Sequence, residues 1–88
     1  MKETLVDIME MEMRRELEGV ILSFLNLNKG NAFTPESILK RIKKDIQKPE
    51  MLEFFQKHTE GVLNKLAFSY QIDMHEHKGV MYYLMFNE

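Results

Sequence analysis

The chain has no cysteine. A disulfide framework, a thiolate metal site and a cysteine nucleophile are therefore all excluded, and a reducing cytoplasm is the compatible location. No apolar run approaches the roughly 18 residues that a membrane-spanning helix needs. The opening MKETLVDIMEMEMRRE interrupts its apolar residues with acids and lacks the h-region and small-residue cleavage site of a secretory signal. It is expected to belong to the fold, with no membrane partner. An excess of positive charge is missing too: 12 Lys and Arg stand against 14 Asp and Glu, a formal net charge of −2. Domains whose whole surface is drawn to nucleic acid are usually markedly basic.

Apolar residues make up 44% and charged residues 30% of the 88 residues, a globular balance that fits a single domain over 1–88. A chain this short buries a modest core with little room for an internal substrate pocket, so function is sought on the surface. The charge is uneven along the chain. Residues 1–28 carry six acids and three bases, 29–70 five acids and eight bases, and 71–88 three acids and one base. The middle is the positive part.

Residues 1–28 read as a long amphipathic helix, because Val6, Met9, Met13, Leu17, Val20, Phe24 and Leu27 recur at spacings of three and four. Asn28, Lys29, Gly30 and Asn31 supply the left-handed positions that end helices. Ala32 and Phe33 are too few for an independent strand, yet they can add a short edge to a later hairpin. A hydroxyl cap, a first-turn proline and an acid then open a second helix at Thr34, Pro35 and Glu36, running to about Asp45 with Ile38, Leu39, Ile42 and Ile46 inward.

Lys48, Pro49 and Glu50 make a second start, since the residue before a proline is pushed out of helical geometry. Leu52, Phe55, Thr59, Val62, Leu63, Leu66 and Tyr70 then fit one face of a single helix; Gly61 equally allows a bend, with Thr59 capping a separate last helix. From Gln71 the period changes toward two. Lys78 and Gly79 offer a turn, and VMYYLMF favours strand, so 71–87 is expected to be a hairpin. The fold class that follows is α+β, mainly α: three helices and a C-terminal β-hairpin.

This order resembles the winged helix superfamily over Thr34 to Phe86. TPESILKRI looks like the first helix of a helix-turn-helix spanning 34–70, TEGVLNKLAFSY like its recognition helix, and the hairpin like the wing. The resemblance implies a DNA-binding protein, a dimeric transcriptional regulator with the recognition helix in the major groove of double-stranded DNA. Carried over by position, the recognition surface would be Lys57, His58, Gly61, Asn64, Lys65 and Phe68, with Lys78 at the wing tip. Asn64 and Lys65 are suited to base edges, and Lys40, Arg41, Lys43, Lys44 and Lys48 to phosphates through counterion release.

A second, weaker apolar strip of Ile8, Met11, Leu22 and Leu25 lies beside the main stripe of the first helix. It is the expected homodimer interface, since contiguous exposed apolar surface marks partner sites. The short wing with a single base and the carboxylate of Glu60 support an alternative, a winged-helix protein-interaction module or subunit of a larger assembly. The remaining candidates carry less. His75 and His77 share a strand face without the further ligands zinc takes, and Tyr82, Tyr83 and Phe86 have only Lys78 nearby for a stacking platform. Glu76 and Ser69 have no catalytic motif around them. No enzyme activity, cofactor or metal is expected.

Overall fold

The structure is a computed structural model that describes residues 5–86. Residues 1–4 of the expected first segment and residue 87 of the expected hairpin lie outside the described residues. Helix α1 (Leu5–Leu27) is followed by α2 (Pro35–Ile42), a single 3-10 turn (Lys43–Asp45), α3 (Pro49–Phe68) and the strands β1 (Asp73–His77) and β2 (Val80–Leu84). The class is α+β, mainly α, in a winged-helix layout.

The local signals are realised as specific bonds. Thr34 caps α2 by accepting from the Ser37 amide at 3.2 Å, with Pro35 in the first turn. α3 runs unbroken through Gly61, and Thr59 does not cap: its hydroxyl is buried and donates to the Phe55 carbonyl. α3 ends with Gln71 N–H reaching Leu66 C=O and Tyr70 N–H reaching Ala67 C=O, the bond pair of a Schellman cap. Tyr70 holds the left-handed position there at φ 61°, where glycine is the usual occupant. Lys78 and Gly79 both have positive φ, as a two-residue hairpin turn of right-twisted strands requires. β1 and β2 are antiparallel, with His75 opposite Tyr82 and Met74 opposite Tyr83.

The edge at Phe33 exists. Phe33 and Tyr83 exchange backbone hydrogen bonds of 2.9 and 2.8 Å, which stitches the segment after α1 to β2. One apolar cluster joins Leu17, Ile21 and Leu25 of α1 with Phe33, Ile38 and Ile42, with Phe54, Phe55, Val62, Leu63 and Leu66 of α3, and with Ile72 and Tyr83.

The expected face of α1 shifts, whereas that of α3 holds from Phe55 to Leu66 and departs only at its ends. On α1 the core row is Leu17, Ile21 and Leu25, while Val6, Met9 and Leu27 of the expected stripe are exposed. Steps of four follow the i, i+4 ridge along which packed helices interlock, and the rest of the molecule covers the second half of α1 more fully than the first. On α3, Phe54 is buried and Tyr70 lies 84% exposed, because the cap swings Tyr70 out of the helical register.

Candidate interaction surfaces

The residues expected at DNA lie on α2 and the turn after it, on α3 and at the hairpin tip. Lys40 and Lys43, one turn apart on α2 and the following turn, flank a shallow groove with Thr34, Ser37, Glu36 and Gln56. Lys44 is exposed beside them. Arg41 points elsewhere: its guanidinium sits 5.6 Å from the centre of the Phe33 ring, and it lines a separate groove with Phe24 and Leu27. Lys78 stands at the tip of the hairpin.

The α3 candidates are engaged within the molecule. Asn64 accepts a hydrogen bond from the Tyr83 hydroxyl, so its amide anchors the hairpin to α3. Burial, and then the nearby Glu60 carboxylate, hold the Tyr83 hydroxyl above its usual pKa of 10.0. Lys65 pairs with Glu18 of α1 at 2.8 Å. His58 stacks on Phe54 with ring centres 4.3 Å apart, and Lys57 joins it along a groove against Val6, Met9 and Met13. Asn64 and Lys65, the two expected at base edges, thus each have a partner within the molecule, while Lys57 and His58 lie on the side of α3 that meets α1.

Of the acids of that helix, sequence reasoning weighed Glu60 against phosphate but not Glu50 or Glu53. Glu50, Glu53 and Glu60 are exposed on α3, where the basic residues are Lys57 and the already paired Lys65. The signal was available: Glu53, Lys57, Glu60 and Asn64 recur at three and four, opposite the buried row Phe55, Val62 and Leu66.

The expected dimer strip is cut in two. Leu25 is 0% exposed within the core and is not free for a second copy, and Leu22 is half-buried against the same cluster; Ile8 and Met11 remain exposed. Of the stripe first assigned to the core, Leu17 is buried and Met13, Val20 and Phe24 pack against the core, while Val6, Met9 and Leu27 are left open. Val6, Met9 and Met13 line the groove against α3, and Glu16, Val20, Ser23, Phe24 and Leu27 line grooves against α2 and the turn after it.

In the hairpin, His75 pairs with Asp73 at 2.9 Å on its own strand, and no group of three His, Cys, Asp or Glu among the described residues could hold a metal ion. Tyr83 is buried while Phe86 is exposed, so Tyr82, Tyr83 and Phe86 do not present one platform. No helix among the described residues is long and apolar enough to cross a membrane. The chain matches no protein-family model, no curated protein and no solved structure.

Proposed function

We propose that this chain is a protein-interaction module on a winged-helix frame, a subunit or adaptor of a larger assembly. The observation that carries this reading is the charge on the solvent side of α3. Glu50, Glu53 and Glu60 occupy the surface a recognition helix would turn to phosphates, and two polar side chains suited to bases, Asn64 and Lys65, are held by Tyr83 and Glu18. A carboxylate row facing a duplex meets one negative charge per about 1.7 Å of helix axis. The exposed apolar residues of α1, which share a groove with Glu50 and Glu53, offer the contrasting feature of a protein-binding surface.

The test is a fluorescence anisotropy titration with labelled duplex DNA at about 50 and 200 mM salt, an interval over which phosphate-dominated binding loses about 10³ or more in affinity. This reading expects weak binding that Lys40→Glu with Lys44→Glu scarcely changes.

The second reading, a DNA-binding transcriptional regulator acting as a homodimer, draws on one observation: Lys40, Lys43 and Lys44 form an exposed basic cluster on α2 and the turn after it. Steep salt dependence abolished by that double charge reversal would restore it and displace the first.

A further inference from the structure

We infer that α1 is a docking rail for an amphipathic helix with basic flanks, supplied by a different protein. The inference rests on the interaction reading above and names the chemistry of the partner.

Val6, Met9, Met13, Glu16, Val20, Ser23 and Leu27 alternate steps of three and four along the whole helix, the spacing of a seam that packs against one other helix. Met9 is 50% and Leu27 81% exposed, Val6 is exposed, and Met13 and Val20 are half-buried. Every member lines an open groove, and the two grooves along Glu16 to Leu27 merge through Glu16, Val20, Ile42 and Asp45. Gly19 borders this stretch with nothing within 4 Å of where a Cβ would stand, leaving space for a close approach. From Val6 to Leu27 the rail is about 32 Å long at 1.5 Å per residue, the length of a partner helix of about six turns.

Charge selects the occupant. The walls of these grooves carry Glu10, Glu16, Asp45, Glu50 and Glu53 against Arg41, Lys48 and Lys57. Arg41 is already engaged over Phe33, and among the described residues neither the Glu18–Lys65 ion pair nor the Asp73–His75 contact uses any of those five carboxylates. An apolar seam edged by acids is complementary to an amphipathic helix edged by lysine or arginine. A second copy fits badly. In a parallel in-register pair, and in the antiparallel pair that sets Val6 against Leu27 and Met13 against Val20, the two Glu16 side chains meet at the centre, and like charges so juxtaposed are rejected.

The probe is a labelled 21-residue peptide with leucine at seam positions and lysine at the flanks. Its controls are the same peptide with glutamate flanks and a lysine-flanked peptide with a central proline, which cannot stay helical. By anisotropy against the full chain, the lysine-flanked helix is expected to bind at least about tenfold more tightly than either control, since a tenfold ratio is 1.4 kcal/mol. Met9→Glu and Leu27→Glu, both at exposed positions outside the core, are each expected to weaken it by a similar factor with unchanged circular dichroism. Equal binding of the three peptides, no binding, or indifference to both variants overturns the rail. Sedimentation showing a dimer that Met9→Glu dissolves makes the second copy the occupant and also overturns it. Failure of the peptide together with absent duplex binding leaves the interaction reading standing, whereas steep salt-dependent duplex binding removes that reading.

Discussion

The two halves of α1 are made of the same kinds of residue and meet opposite fates. Leu17, Ile21 and Leu25 are fully buried, whereas Leu5, Val6, Ile8, Met9 and Met11, in the first two turns, are all exposed. Helix propensity does not separate them. What differs is the company: α2 and α3 pack on the second half, in one cluster with Phe33, and the first half has only one flank of α3 beside it. An amphipathic period reveals that a helix has an apolar face, while the chain's remaining elements decide which part of that face stays wet.

That contrast breaks most visibly under truncation. Ile21→Ala is expected to lower unfolding free energy by about 2–5 kcal/mol through lost burial and a residual cavity. Met9→Ala, on the same helix, is expected to change it by less than about 0.5 kcal/mol. Urea denaturation of the two variants measures the difference, and equal losses would mean that the first half of α1 is part of the core.

Tyr83→Phe probes how firmly the covered half is closed, because it removes the hydrogen bond that ties β2 to Asn64 of α3. A loss of about 1 kcal/mol is expected at neutral pH. The sign of the pH dependence follows from the raised pKa. Below pH 10.0 the hydroxyl is neutral in both states and its contribution is complete; above 10.0 the unfolded chain ionises first, so stability falls until the folded hydroxyl titrates too. The phenylalanine variant should lack that Tyr83-dependent part of the alkaline decline in pH-dependent urea melts.

Tyr70→Gly acts in the opposite direction. A non-glycine residue in the left-handed region carries roughly 1–2 kcal/mol of strain, and glycine's greater unfolded-state entropy offsets part of its relief. A gain of about 0.5–1 kcal/mol in thermal unfolding is expected, and a loss would mean that the exposed ring contributes to the fold. Smallest is the bridge between α1 and α3. Lys65→Ala and Glu18→Ala should couple by about 0.5 kcal/mol or less in a double-mutant cycle, because the lysine is largely solvated.

Much of the architecture was legible from local chemistry. Thr34 with Pro35, Lys78 with Gly79, and the pairing of Phe33 with the later hairpin rest on capping, turn geometry and extended backbone, which a few adjacent residues determine. The faces were not. Assigning Val6 and Leu27 inward and Leu25 outward required knowing how α1 crosses its neighbours, and spacings of three and four suit two adjacent faces equally well. The surface candidates suffered from the same gap. Asn64 and Lys65 are good base readers in isolation, but Tyr83 and Glu18 reach them from elements 19 and 47 residues away in the chain. Arg41 parts from Lys40 because a helix turns about 100° per residue, and only Phe33 fixes where it then points.

Amide hydrogen exchange followed by mass spectrometry, with and without the lysine-flanked peptide, tests the account most directly, since it reads both halves of α1 in one sample. In the free chain, residues 17–25 should exchange slowly and 5–13 quickly. On adding the peptide, 5–13 should slow markedly. An unchanged first half, or slowing over Lys40 to Lys48 when duplex DNA is added instead, would contradict it.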